Sequence, residues 1–125
     1  MRTKLHTTLL AVLCAVSLPA QVSLKKKAVV YVGSAANTTA PATLDAAKVR
    51  LATPEWQKIQ RSGIDPNSAR GKQLITKMNQ RIRQAVKSVA DAEGRDMVTR
   101  KKDMKDDRGR DVMDLTDLVV SEIKA

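Results

Sequence analysis

The stretch from Asp65 to Gly94, DPNSARGKQLITKMNQRIRQAVKSVADAEG, has the pattern of one long amphipathic helix. Asp65 suits the position that caps the first backbone N–H groups, Pro66 suits the first helical residue, and Gly94 supplies a left-handed end. A helix over 66–93 would be about 42 Å long. Apolar residues recur along it at alternating spacings of three and four; they are Ile75, Met78, Ile82, Ala85 and Val89, widened by Leu74, Val86 and Ala90.

This apolar stripe predicts a helix-to-helix contact, either within the chain or between copies. The chain has only two aromatic residues, Tyr31 and Trp56, and a chain of this size buries only about two-thirds of its surface on folding. We therefore predict that the stripe is covered by other subunits. The candidate residues for this oligomer contact are Ile75, Ile82, Val86 and Val89. Gly71 is predicted to weaken the first turns by up to about 1 kcal/mol relative to Ala.

The first twenty residues resemble a cleaved secretory signal. Arg2 and Lys4 precede the apolar run 9–16, which is too short to span a membrane, and small residues follow it. Cleavage after Ser17 and cleavage after Ala20 both fit this pattern. We predict export of a processed chain that lacks residues 1–20.

Removal of this segment changes the chemical inventory. Cys14 and His6, the only cysteine and the only histidine, are lost, and 21 basic residues then face 13 acidic ones, a net charge of +8. The processed chain has no thiol or imidazole for nucleophilic catalysis or transition-metal binding, and no pair of acids lies in an apolar context. We therefore predict no enzyme activity, no metal site and no cofactor.

Upstream of the long helix, residues 21–42 are predicted to form a linker with one strand over 28–32, followed by a short strand over 40–44. Thr53 and Pro54 mark a helix start, and Ser62-Gly63 ends that helix, so the outgoing helix is predicted over 54–62. Trp56 on this helix is predicted to be a packing residue.

Downstream, residues 96–99 are predicted to form a strand and residues 100–110 a charged loop or hairpin tip. Asp114 to Asp117 is predicted to cap the last helix, whose apolar face is formed by Leu115, Leu118, Val119 and Ile123. The predicted fold class is α+β: a small β-sheet body with a short outgoing helix, a long returning helix and a C-terminal helix.

Three segments together resemble the Skp (OmpH) family of periplasmic chaperones. RIRQAVKSVADAEGRDMV at 81–98 is similar to the place where that family's returning arm enters the body. DVMDLTDLVVSEI at 111–123 is similar to its terminal helix, and TLDAAKVRLATPEWQKI at 43–59 to its first strand and outgoing helix. The outgoing helix is much shorter here than the long antiparallel arm of the family.

The resemblance implies a homotrimer in the periplasm, with 43–125 as the family-like domain, that binds unfolded outer-membrane proteins without covalent chemistry. Client binding would use a basic helical surface with Met and aliphatic contacts. The candidate client-binding residues are Lys72, Lys77, Met78, Arg81 and Arg83. An anionic membrane surface or lipopolysaccharide is a further candidate partner, and nucleic acid is not expected.

A different class of function remains open. The same trimeric body could serve as an envelope structural or adaptor protein that binds a folded partner or an anionic surface. That hypothesis predicts tight binding to one partner and indifference to unfolded chains. A third hypothesis, an exported polyanion binder, predicts an affinity that falls steeply with salt.

Overall fold

The computed structural model describes residues 22–106, 109 and 111–125. The predicted signal segment 1–20 lies outside the described residues. Over the described part the chain is α+β, with four helices and two small sheets. The elements in chain order are β1 (Ser23–Leu24), β2 (Val30–Val32), β3 (Pro41–Leu44), α1 (Ala46–Ala52), α2 (Pro54–Arg61), α3 (Ala69–Glu93), β4 (Met97–Arg100), β5 (Met104–Asp106), β6 (Met113–Asp114) and α4 (Thr116–Lys124).

The larger sheet is mixed, with the strand order β2-β4-β3-β6. β3 runs parallel to both β4 and β6, whereas β2 is antiparallel to β4. The chain between the parallel strands β3 and β4 contains α1, α2 and α3. Two parallel neighbours need a long crossover of this kind, because the chain must return to the same end of the sheet. A second sheet pairs β1 with β5, so the described strand that follows β4 pairs with β1 and not with β4.

The predicted linker is part of the folded unit from residue 22 onward. Val22 is buried, β1 pairs with β5, and β2 adds to the edge of the main sheet beside β4. The predicted strand over 28–32 is therefore present in a shorter form, and it joins the sheet. Sequence alone could not show this, because strand pairing depends on residues about seventy positions away.

The long helix begins later than predicted. Ser68, and not Asp65, is the N-cap: its hydroxyl accepts the Gly71 N–H at 3.1 Å. Asp65 instead holds a turn before the helix, where its carboxylate accepts the Asn67 N–H at 2.9 Å. The predicted end is confirmed, since Gly94 lies in the left-handed region at φ 66° and its N–H bonds back to the last helical turn.

Gly71 is required by a close approach of two backbone segments. A Cβ placed on Gly71 would lie 2.1 Å from the carbonyl oxygen of Asp65, inside the turn that leads into α3. The predicted cost of Gly71 in helix propensity stays a prediction. The structure adds that the missing Cβ permits a close approach that no other residue type could make.

The apolar stripe of α3 is buried by the chain itself. Val86 is fully buried, and Ile82 and Val89 are each 7% exposed, while Ile75 packs against the same core from its edge. α3 contacts α2, α4 and the strands β2 and β4. The prediction that other subunits must cover this stripe is corrected, because aliphatic side chains from the sheet and α4 complete the core without aromatic rings.

The remaining sequence-based predictions for the helices hold in most positions. Thr53 caps α2 with Pro54 at its first residue, and Trp56 is a half-buried packing residue beside the core. On the last helix, Leu115 and Val119 are fully buried, whereas Leu118 is 39% exposed and faces away from the core.

Asp96 connects the start of β4 to the loop before β3. Its carboxylate accepts hydrogen bonds from the Thr38 hydroxyl, from the N–H and hydroxyl of Thr39 at 2.7 and 2.8 Å, and from the Ala40 N–H at 3.0 Å. Partial desolvation raises the pKa of Asp96, but these hydrogen bonds outweigh it and hold the pKa well below the usual value.

We expect Gly71→Ala to lower the free energy of unfolding by about 1–2 kcal/mol, because the steric conflict with Asp65 exceeds the gain in helix propensity. Asn79→Ala, at an exposed position on the same helix, is the matched control and should be neutral or slightly stabilising. Urea unfolding of the two variants measures the difference. A Gly71→Ala variant as stable as Asn79→Ala would contradict the close approach.

We expect Asp96→Asn to destabilise the fold by about 1 kcal/mol at pH 7, an amount limited by the exposure of the group. A carboxyl group whose pKa is lowered by folding stabilises the fold above its unfolded pKa of about 3.9, and this contribution disappears as the pH falls. The gap between wild type and variant should therefore shrink from pH 7 to pH 3 in urea unfolding. Asp91→Asn, which changes an exposed carboxylate on α3, is the control and should leave the free energy of unfolding unchanged. A difference between wild type and Asp96→Asn that stays constant with pH would contradict the stabilising role of the Asp96 hydrogen bonds.

Candidate functional site

The helical hairpin of α2 and α3 carries the predicted interaction residues. The Thr53 hydroxyl accepts the Trp56 N–H at 3.3 Å, which fixes the start of α2. The connection 62–68 turns the chain back, and α2 then packs against α3. The described hairpin is filled by its own side chains, so its outer flanks are the surfaces that remain for another molecule.

Glu55 and Arg81 lock the two helices of the hairpin together. Arg81 Nε lies 3.0 Å from each carboxylate oxygen of Glu55, and Arg81 Nη2 lies 2.9 Å from Oε1. The Glu55 side chain is only 10% exposed, whereas that of Arg81 is 45% exposed. The carboxylate is thus enclosed by the hairpin, and the guanidinium group covers it from the solvent side.

The charge of Glu55 is stabilised by this arrangement. Burial raises the pKa of Glu55, but the hydrogen bonds from Arg81 and the charges of Arg81 and Lys77 outweigh burial, and the pKa lies below its usual value. The same contact raises the pKa of Arg81. Both partners are therefore ionised at neutral pH. Arg81 is engaged with Glu55, so it is less available to bind a client.

The structure divides the predicted cationic residues between two flanks of α3. An α-helix advances about 100° per residue, so Arg81 and Arg83 point to opposite sides of the buried stripe. Lys77 accompanies Arg81 on the flank that faces Glu55. Arg83 lies on the other flank, where its charge acts on Tyr31, and Lys72 is about 20° from Arg83 around the axis. All four are exposed, but they do not form one continuous surface.

Met78 is not available to a client. It is 5% exposed and belongs to the same core cluster as Ile82 and Val86. The prediction of a soft apolar contact at Met78 is corrected, because the three-and-four spacing that places it on the stripe also places it inside the fold.

Sequence reasoning missed a group of arginines around Tyr31. The charges of Arg100, Arg50 and Arg83, which come from β4, α1 and α3, all act on the Tyr31 hydroxyl. Burial nevertheless dominates and raises the pKa of Tyr31, with a smaller rise from Asp103. No local motif links these positions, because Tyr31 and the three arginines lie on four different elements, β2, α1, α3 and β4.

Two exposed leucines mark shallow grooves on the side of α4. Leu118 borders a groove of about 300 Å³ between α3 and α4. Leu51, which is 54% exposed, borders a groove of about 310 Å³ between α1 and α4. These grooves expose apolar side chains on the surface, whereas Met78 is buried.

Within residues 22–106, 109 and 111–125, no group of three or more His, Cys, Asp or Glu residues is placed to hold a metal ion. The helices of these same residues include none that is long and apolar enough to cross a membrane.

Comparison with protein-family models, with curated proteins and with solved structures gives no match for this chain.

We expect Arg81→Met to lower the free energy of unfolding by about 1–2 kcal/mol, because it leaves the enclosed Glu55 carboxylate unpaired; the exposure of Arg81 keeps the loss below that of a fully buried pair. Adding Glu55→Gln should recover part of this loss, since a neutral amide is less costly to enclose. Urea unfolding of the single and double variants gives the coupling energy.

Arg83→Met makes the same chemical change on the opposite flank of α3 and serves as the control. It should alter stability by less than about 0.5 kcal/mol. Equal losses in Arg81→Met and Arg83→Met, or no recovery on adding Glu55→Gln, would show that the Glu55–Arg81 pair does not hold the hairpin.

Proposed function

We propose that this chain is an exported, non-catalytic holding protein of the Skp-like kind, which binds unfolded outer-membrane proteins in the periplasm. The observation that carries the proposal is the exposure of Lys72, Lys77 and Arg83 on both flanks of a helix whose apolar stripe is internal. Such a helix presents positive charge to the solvent without exposing its own core.

The order of the elements supports the family-like part of the proposal. A strand (β3), an outgoing helix (α2), a long returning helix (α3), a second strand (β4) and a terminal helix (α4) occur in the order that the resemblance implies, with α1 between β3 and α2 and with β5 and β6 between β4 and α4. β3 and β4, the strands on either side of the helical hairpin, are neighbours in the sheet. The hairpin therefore begins and ends at one small β body.

The proposed mode of binding differs from the one expected from sequence. The cations of α3 attract acidic segments of a non-native chain over long range. Leu51 and Leu118, which border the grooves beside α4, make the short-range apolar contacts with that chain. A holding protein of this kind acts by mass action, since each bound chain is removed from the pool that aggregates.

We further propose that the protein assembles as a homotrimer through surfaces other than the α3 stripe. β2 lies at an edge of the main sheet, and Val29 and Val30 at this edge are 37% and 38% exposed. An exposed edge strand offers unpaired backbone groups to a second chain, and these valines would add apolar contact.

The adaptor hypothesis keeps support from a separate observation. The described hairpin is short, and the charges of Arg50, Arg83 and Arg100 act on Tyr31 in the β body. A protein that binds one folded or anionic partner through its body would use Arg50 and Arg100 and would not need Lys72 and Lys77.

The test is light scattering during dilution of an unfolded outer-membrane β-barrel protein into buffer with the processed chain. We expect wild type to suppress aggregation at low ionic strength and to lose this effect near about 1 M salt, where the Debye length is about 3 Å. Lys72→Ser/Lys77→Ser should weaken suppression severalfold, because it removes charge from both flanks of α3.

Lys26→Ser/Lys27→Ser is the matched control, since it removes the same charge from exposed residues away from the hairpin. It should leave suppression close to wild type. No suppression by wild type, together with tight binding to a single folded or anionic partner, would favour the adaptor hypothesis. Equal weakening by both double variants would show that only the net charge matters.

A further inference from the structure

A basic cleft of about 550 Å³ lies at the carboxyl ends of β3 and β4. One wall is formed by the end of β3 and the start of α1, and the other by the turn that follows β4. Because β3 and β4 are parallel neighbours, both strands end at this edge of the sheet. Sheets with helical crossovers commonly bind ligands at such an edge.

The lining of the cleft has an excess of positive charge. Arg50, Arg100, Lys101 and Lys102 contribute four cations, against the two carboxylates of Asp45 and Asp103, which leaves a formal charge of +2. These six residues come from α1, the turn after β4 and the residues next to them. The excess is therefore produced by the fold and not by a single basic run.

Both carboxylates of the cleft are already engaged. Asp45 caps α1, where its Oδ1 accepts the Ala47 and Lys48 N–H groups at 3.2 and 3.3 Å. Asp103 is 5% exposed and accepts the Val29 N–H at 2.8 Å in addition to its contacts with Arg100. Asp103 is therefore held by its own partners, and Asp45 is engaged through one of its two oxygens.

Two guanidinium groups of the cleft are held in place before any ligand arrives. Arg100 donates to Asp103 through Nε at 2.7 Å and Nη2 at 3.1 Å, which leaves its Nη1 for another acceptor. The guanidinium carbon of Arg50 lies 5.2 Å from the centre of the Trp56 ring, a cation–π contact that limits its motion. Preorganised donors lose less entropy when they bind an anion.

Lys101 and Lys102 also line the cleft, and their exposed side chains carry two further positive charges. Lys101 reaches Asp114 at 3.2 Å, but its side chain is 61% exposed, so this ion pair is weak. Lys102 is exposed and has no ion pair within the described part of the chain.

We propose that this cleft binds an anion that carries at least two linked phosphate groups. Arginine forks match phosphate oxygens in pairs, and the four cations of the cleft can be shared between the two phosphate groups of a diphosphate, which carries more negative charge than a single carboxylate. The volume leaves room for a group attached to the diphosphate. This inference goes beyond the proposed holding function and does not depend on it.

The first arm of the test is calorimetric titration of the processed protein with inorganic pyrophosphate at an ionic strength of about 0.01 M, where the Debye length is about 30 Å. We expect saturable binding of one ion per chain. Arg50→Gln/Lys102→Gln should weaken it by about tenfold or more, since it removes two of the four cations that line the cleft. Lys102→Gln alone should weaken binding without a change in melting temperature, so that a folding defect in the double variant does not decide the result.

Lys72→Ser/Lys77→Ser is the matched control, because it removes the same charge and leaves the cleft intact. Its affinity for pyrophosphate should stay within about twofold of wild type, the small change expected from a distant charge in the overall field. Saturable binding that is weakened equally by the cleft variant and this control would overturn the proposal.

A second arm distinguishes a soluble ligand from a lipid headgroup. Phosphatidylcholine vesicles with and without diacylglycerol pyrophosphate are sedimented with wild type and with Arg50→Gln/Lys102→Gln. Cleft-dependent binding to pyrophosphate alone assigns a soluble diphosphate, and cleft-dependent binding to the vesicles alone assigns a headgroup. Failure to bind in both arms overturns the proposal.

Discussion

The burial of one face of α3 against the sheet and α4 is the contact on which the rest of the fold depends. Val86 and Ala90 are fully buried, as are Leu44 and Val98 from the sheet and Val119 from α4. Each Å² of apolar surface removed from water contributes about 25 cal/mol, so a core of aliphatic side chains can replace the aromatic residues that this chain lacks. The sheet, the hairpin and the last helix are all fixed relative to that face.

Burial of this face also decides which residues remain for function. It removes Met78 and the proposed subunit seam from the surface, and it places the cations of α3 on two separate flanks. On one flank Arg81 is committed to Glu55, which leaves Lys77 more available there. On the other flank Arg83 lies near the arginines of the body around Tyr31. The electrostatic surface of the protein is thus a consequence of how its core is closed.

Local signals in the sequence predicted the helices well, whereas contacts between distant residues could not be predicted. The Thr53-Pro54 start of α2, the Gly94 end of α3 and the apolar spacing between them depend on residues within one or two turns of each other. The need for glycine at position 71 arises within six residues, from the turn that Asp65 begins, but the spacing of apolar residues does not show how closely that turn approaches α3. The addition of β2 to the sheet has no local signature, because its partner β4 lies about seventy residues away.

The candidate site follows the same division. Exposure of Lys72, Lys77 and Arg83 could be predicted, because charged residues off an apolar stripe face water. The meeting of Arg50 and Arg100 at one strand edge could not, since it results from the parallel register of β3 and β4. The stripe itself was located correctly but assigned to the wrong partner, because periodicity identifies a buried face without identifying what buries it.

The most direct test of this account is an isotope-filtered NOE experiment on an equimolar mixture of labelled and unlabelled processed chains. The account predicts that the methyl groups of Val86 and Ile82 show NOEs only within their own chain, to methyl groups of the sheet and α4, whatever the oligomeric state. NOEs from these methyl groups to a second copy of the chain would contradict it.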